Sequence, residues 1–226
     1  MKRDVTLPDP RPVQWPLREP SSATVTRTRD RHHTIVRIEH EPLREVTARM
    51  LRWWYGNVPG TMFYAGKEYP RYQVWHPLDH ISYDVVGGRA ADPGAHDPVH
   101  PGSNLRIREA LQRNPGQLID IRVSVEELAA NRAVIVKRLR GTTMVRLEND
   151  FRDGPYGAAY HTTLTVGDDT PLARAFLNRV AHRRAFPEAR IGPWVTHHIE
   201  EIGNLEHFLP QLYAEQAGRR GAPDHQ

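Results

Sequence analysis

The chain has 226 residues, 38% of them hydrophobic and 26% charged, with a formal net charge of +4 and no cysteine. That composition suits one globular domain with a sizeable core. It excludes disulfides and thiolate metal sites, so a bound metal would need His, Asp or Glu ligands. No apolar run approaches the roughly 18 residues of a membrane span. The N-terminus lacks the apolar stretch of a secretory signal, and the scattered Arg residues form no nucleic-acid motif. The expectation is a cytoplasmic protein with no nucleic-acid or membrane partner.

Residues 1–30 carry Pro8, Pro10, Pro12, Pro16 and Pro20 among charges without periodicity, which predicts an extended or disordered arm. A single domain is expected over 31–216, followed by a polar tail over 217–226. Thr34 opens an alternating strand, and Pro42 is expected to start a helix that runs through Val46, Met50, Leu51 and Trp54 to Gly56 and Asn57. The aromatic load at Trp53, Trp54 and Tyr55 reads as core packing, with a ligand platform as the alternative. Tyr72 to Tyr83 alternates as a strand, with Pro77 marking an edge or bulge. If its parity survives the proline, Tyr72, His76 and His80 share a face. A long loop is expected over 87–103, with His96 and His100 facing solvent.

The segment Leu105 to Leu111 is the most informative strand. Leu105, Ile107, Glu109 and Leu111 fall on one face and Arg106 and Arg108 on the other, so Glu109 points inward among aliphatics, the alternative being that the strand ends before Glu109 and a helix begins. A carboxylate there must be paired, protonated or bound to a metal. Strands are expected at 117–125, 133–138, 142–147 and 158–166, with a turn at Asp153–Gly157 and a short connection over Glu126–Asn131. On the last strand Tyr160 shares the inward face with Ala158, Leu164 and Val166, either as a site residue or as a core tyrosine. A helix follows from Thr170 through Ala173, Phe176, Leu177 and Val180, then a basic loop over 182–193. A long helix starts at Trp194, and Pro210 is expected to kink or end it.

On that last helix an apolar face covers about half the circumference, wider than a surface helix needs. His197 and Glu201 lie one turn apart at its edge and could share a divalent cation. His198, three residues from Glu201, is an alternative that spacing alone does not exclude. The segregated element order argues for an α+β fold, a curved antiparallel sheet around a long C-terminal helix that encloses a cavity. Glu109, His80 and the His197/Glu201 face could line it.

Several motifs together resemble the diacetylphloroglucinol hydrolase family, to which phloretin hydrolase is related. They are Trp53-Trp54-Tyr55, Tyr72-x-x-Trp75-His76-Pro77-x-Asp79-His80, Asp153-Gly154-Pro155-x-Gly157, and His197-x-x-x-Glu201 with the segment to Tyr213. The likeness covers residues 33–216. It implies a helix-grip fold like that of the birch pollen allergen and START domains. It also implies zinc-dependent hydrolysis of the carbon–carbon bond between an acyl group and a phenolic ring. Carried over, the zinc ligands are His80, Glu109, His197 and Glu201, which selects His197 over His198. Tyr72 matches a tyrosine that holds substrate hydroxyls, and Tyr160 matches a second one more loosely. A further family histidine on the sheet has no counterpart, because 144–149 holds none. The expected partner is a small phenolic ketone, with a homodimer as a further expectation. The competing readings are a non-catalytic helix-grip module for a hydrophobic aromatic ligand, and a zinc hydrolase acting on another ester or diketone.

Overall fold

The computed structural model describes residues 7–91 and 96–220. Strand β1 (Thr24–Arg29) pairs antiparallel with β2 (Thr34–Glu39). Helix α1 (Ala48–Asn57), a small hairpin of β3 (Thr61–Tyr64) and β4 (Lys67–Pro70), and the short helix α2 (Arg71–Trp75) follow. The chain then makes a meander of β5 (His80–Gly88), β6 (Ser103–Ala110), β7 (Leu118–Ala129), β8 (Arg132–Leu139), β9 (Thr142–Gly154) and β10 (Gly157–Val166). Helix α3 (Asn178–Val180), flanked by π-helical turns at Ala173–Leu177 and Ala181–Ala185, leads to helix α4 (Ile191–Arg220).

Eight strands form one antiparallel sheet in the order β1-β2-β10-β9-β8-β7-β6-β5. Along β10 the side chains of Ala158, Tyr160, Thr162, Leu164 and Val166 are buried and alternate with more open neighbours, the period of a strand with one face on the core. Bulges after His80 and Val85 in β5, after Val125 in β7 and at Met144 in β9 interrupt the register, and bulges bend and twist a sheet locally. Against the concave face lies α4, roughly 45 Å long. It buries Trp194, Ile199, Ile202, Leu205, Phe208, Leu209 and Leu212. This is the helix-grip architecture: a curved antiparallel sheet closed over a long C-terminal helix.

Several elements differ from expectation, each for an identifiable reason. Residues 24–29 are not a loose arm but an edge strand, whose Thr/Val/Arg alternation suits pairing. Residues ahead of it are docked: Trp15 stacks on His207 at 5.4 Å and Arg18 pairs with Glu206 at 2.6 Å. A Cβ built on Gly203 would meet Arg18 Cδ at 2.3 Å, so the arm crosses α4 where only glycine fits. Helix α1 begins at Ala48, not Pro42, because Leu43 is held by backbone bonds to Ala158 (2.9 and 3.1 Å). Thr47 then caps the helix by accepting from Met50 N.

Residues 71–75 are helical rather than a strand, and Pro77, which has no N–H, lies beyond the helix end. Segment 126–129 continues β7 past a bulge. Residues 96–102 of the expected loop are pinned to α1 through Asn57–Asp97 and Val99–Gly56 bonds, while 92–95 lie outside the described residues. His96 is exposed and His100 half-buried. Phe176 is 70% exposed rather than part of an apolar helix face. The expected basic loop over 182–193 contains a π turn and the start of α4, which begins at Ile191. Helix α4 continues through Pro210 to Arg220, with Leu209 and Leu212 buried on either side of the missing donor. The tail therefore stays helical to 220, and 221–226 lie outside the described residues.

Candidate metal centre

The start of β5 and the end of β6 bring two site residues together. His80 and Glu109 are cross-strand partners, and the bulge in β5 follows directly after His80. Glu109 is 8% exposed, as the inward parity of its strand requires. From the opposite side α4 presents His197 and Glu201, one turn apart and both buried. The Nε2 atom of His80 lies 3.3 Å from Glu201 Oε2 and 3.8 Å from Glu109 Oε2. The Nε2 atom of His197 lies 3.6 Å from Glu109 Oε2 and 3.9 Å from Glu201 Oε2. All four residues therefore converge.

Both Nε2 atoms are buried and have no hydrogen-bond partner. Buried polar atoms without partners are rare and costly. Ligand atoms about 2.1 Å from a tetrahedral zinc would be about 3.4 Å apart, close to the separations seen here. His80, His197 and Glu201 also place ligand atoms within 4.8 Å of one another. The residues present fit a divalent cation.

The other ring nitrogens are fixed. His80 Nδ1 lies 2.6 Å from the carbonyl of Tyr72, and His197 Nδ1 lies 3.0 Å from Asp79 Oδ2. These contacts turn both Nε2 atoms toward the carboxylates, as outer partners of metal-binding histidines commonly do. Asp79 also accepts from the backbone N–H of Gln112 (2.8 Å) and Arg113 (3.0 Å). Those two residues have φ of 55° and 52°, so consecutive left-handed residues aim their amides at one carboxylate. His76 stacks on His197 at 4.4 Å and bonds Glu200 at 3.0 Å. It backs the site instead of sharing a face with Tyr72 and His80.

The electrostatics follow from the same geometry. Burial opposes charge on His197, yet Glu109, Asp79 and Glu201 outweigh it and hold its pKa well above the ordinary value. Burial likewise opposes charge on Glu201, and His198, His80 and His197 pull its pKa well below normal. Glu109 is also lowered, with burial outweighed by His197 and His80. His80 is lowered by burial. Asp79 falls to about 2, since His197 and His76 overcome its burial.

The cluster reaches the wall of a cavity of about 590 Å³ between the sheet and α4 through Glu109 and Glu201, with His80 and His197 behind them. Most of that wall is apolar or aromatic, including Tyr83, Ile107, Ile121, Ile135, Leu147 and Trp194. Tyr72 lines it, stacks on His80 at 3.7 Å and donates to Glu109 Oε2 at 2.9 Å. Burial, Glu109 and Glu201 raise its pKa well above 10. Tyr160 points inward as predicted, but it lies behind the wall. Its hydroxyl bonds that of Tyr55, and Tyr55 is the residue that lines the cavity.

Three further side chains, Asp79, Thr162 and Asn149, escaped sequence reasoning. Asp79 stood inside a recognised motif without a role. His198 joins Glu201 Oε1 (Nδ1, 2.5 Å) to the Thr162 hydroxyl (Nε2, 2.9 Å). Thr162 in turn donates to Asn149 Oδ1 at 3.0 Å. Polar residues at two paired inward positions, Thr162 and Asn149, were the available signal.

No protein-family model and no curated protein matches the sequence. Among solved structures, Ara h 8.0201 is 10% identical, with 78% of this chain and 99% of that chain covered and a TM-score of 0.45. A START superfamily protein from Mycobacterium smegmatis is 14% identical, with 80% and 99% covered and a TM-score of 0.44. No helix among the described residues is long and apolar enough to cross a membrane.

Proposed function

We propose that this protein is a metal-dependent hydrolase that cleaves the carbon–carbon bond between an acyl group and a phenolic ring, with zinc as the metal. The observation that carries the reading is the pair of buried, partnerless His80 and His197 Nε2 atoms facing Glu109 and Glu201 at the wall of an apolar cavity. The resemblance of the Trp-His-Pro-x-Asp-His and His-x-x-x-Glu motifs to acylphloroglucinol hydrolases supports the reaction class. A zinc ion held there supplies Lewis acidity and a bound water of lowered pKa.

The chain's own residues do the rest. Water adds its oxygen to the acyl carbon, the acyl–ring bond breaks, and the ring carbon takes up a proton. The products are a carboxylic acid and the deacylated phenol. Tyr72 keeps its proton at neutral pH and can donate it to a phenolic oxygen. Glu109, which accepts from Tyr72, is placed to exchange that proton. The apolar wall positions the ring and limits stray water. A cysteine-free chain is compatible with work in the cytoplasm.

A second reading, a carrier of a hydrophobic aromatic ligand without catalysis, is favoured by the largely apolar lining. Elemental analysis separates the two. The hydrolase reading expects about one zinc per chain, lost in His197→Ala and in Glu109→Ala, together with acetate release from an acetylphloroglucinol. A folded wild type that holds no metal and gains no activity with added zinc would leave the carrier.

A further inference from the structure

We propose that the substrate carries a negatively charged oxygen on its ring, a carboxylate or a phenolate, and that Arg190 recognises it, with Lys137 a second cation elsewhere on the same cavity wall. This deepens the hydrolase reading and rests on it for the acylphenol scaffold. Six charged side chains line the cavity: Glu109, Asp120, Lys137, Arg138, Arg190 and Glu201. Asp120 is paired with Arg106 at 2.7 Å and with Arg108, and Arg138 is bound by Glu126. Glu109 and Glu201 belong to the histidine cluster. Lys137 and Arg190 are left without an ion-pair partner among the described residues.

Arg190 is the more constrained of the two. It directly precedes α4, and its terminal nitrogens lie 3.5 and 3.4 Å from the carbonyls of Ala185 and Leu118. These long contacts steer the guanidinium without saturating it. Its Nε is buried and has no partner. Burial lowers its pKa, and the opposing charge is Glu109, a carboxylate that a bound metal would engage. Lys137 enters the cavity by strand parity with Ala133 and Ile135 on β8.

A partly desolvated guanidinium facing an otherwise apolar wall is costly unless a ligand supplies the anion. Arg also suits a planar carboxylate better than Lys does. The cavity thus offers a histidine–carboxylate cluster for the acyl carbonyl and separate cations for an anionic ring oxygen. A neutral acylphenol would leave those cations without a partner.

The test uses chelator-treated full-length protein, so it does not depend on metal or turnover. Two fluorescent probes are titrated: anilinonaphthalene sulfonate, which is anionic, and phenylnaphthylamine, which is neutral. Arg190→Gln is expected to weaken the anionic probe by roughly 10- to 100-fold, with neutral-probe affinity unchanged. Arg190→Lys should restore part of the loss, and Lys137→Met should cause a smaller one. Competition then separates the anion sources. A carboxylated acetophenone should displace the probe across the pH range, whereas a hydroxyacetophenone should do so only where its phenol is ionised. Equal loss of both probes in Arg190→Gln, no loss of either, or no probe binding to the wild type would overturn the proposal. The hydrolase reading stands or falls separately, on metal content and acetate release.

Discussion

Replacing Asp79 with Asn tests the candidate centre through a residue outside the ligand set. The side chain keeps its size, but its charge is lost. One oxygen must then serve the three donors now shared by two: His197 Nδ1 at 3.0 Å and the amides of Gln112 and Arg113 at 2.8 and 3.0 Å. The magnitude follows from the titration of Asp79. Its folded pKa is about 2 against an ordinary 3.8, which corresponds to about 2 kcal/mol of stability at pH 7. Because the folded value is depressed, that contribution is present above about pH 4 and is lost as pH falls through the folded value. In Asp79→Asn the metal-free protein should unfold about 2 kcal/mol more easily in urea at pH 7. The difference from wild type should narrow below about pH 4 and close only below about pH 2. Zinc affinity, measured by competition with a chromophoric chelator, should fall about 10- to 100-fold because His197 loses its outer partner. A variant that is destabilised yet binds zinc within about twofold of wild type would show that Asp79 only holds the left-handed pair at 112–113.

Tyr72→Phe removes the donor to Glu109 and should cost about 1 kcal/mol in stability. It should leave zinc content intact while lowering acetate release; unchanged turnover would refute a role at the substrate. Tyr55→Phe should weaken binding of a phenolic ligand more than Tyr160→Phe does, because only Tyr55 reaches the cavity; the reverse order in a titration would contradict this placement. Gly157→Ala places a Cβ 2.0 Å from the Leu43 carbonyl at a φ of +123°, so a loss of more than about 2 kcal/mol is expected in urea unfolding. For the metal-free protein, the depressed Glu109 and Glu201 contribute stability above about pH 4.3, lost as pH falls through their folded values. The raised His197 contributes below about pH 6.5, lost as pH rises through its folded value. Tm without metal should therefore decline on raising pH past 6.5, while zinc affinity rises as His197 gives up its proton; a metal-free Tm that climbs steadily to pH 9 would contradict this assignment.

Much of the site was legible because it depends on periodicity. Glu109 could be placed inward from the alternation of its own strand, and Glu201 with either His197 or His198 from one helical turn, while the choice of His197, and His80 itself, came from the family resemblance. The long helix and antiparallel meander followed from patterns of the same kind. What escaped depends on contacts between segments far apart in the chain. Nothing local shows that Asp79 reaches across to His197, or that Tyr55 on α1 stands between Tyr160 and the cavity. The 71–77 segment was misread because a five-residue helix is too short for its period to be distinguished from a strand's. The arm was misread because prolines early in a segment masked the pairing pattern that begins at Thr24. The isolation of Arg190 is a property of the whole set of ion pairs, and no stretch of sequence contains it.

Strand β5 is the last strand of the sheet, and among the described residues no further strand pairs with its outer side, where only the side chains of Arg11 and Gln73 reach the carbonyls of His80 and Ile81. Such a strand is ordinarily the first to fray. Here its first residue is His80, and the facing His197 and Glu201 belong to α4. An ion held by all of them would rivet the margin of the sheet to the helix that fills its hollow. Two pieces that could otherwise open independently would then have to open together. Amides at the start of β5 and around residues 197–201 should exchange with solvent at a common slow rate in the loaded protein, and at separate, faster rates after the ion is stripped. The centre would then contribute to folding cooperativity as well as to chemistry.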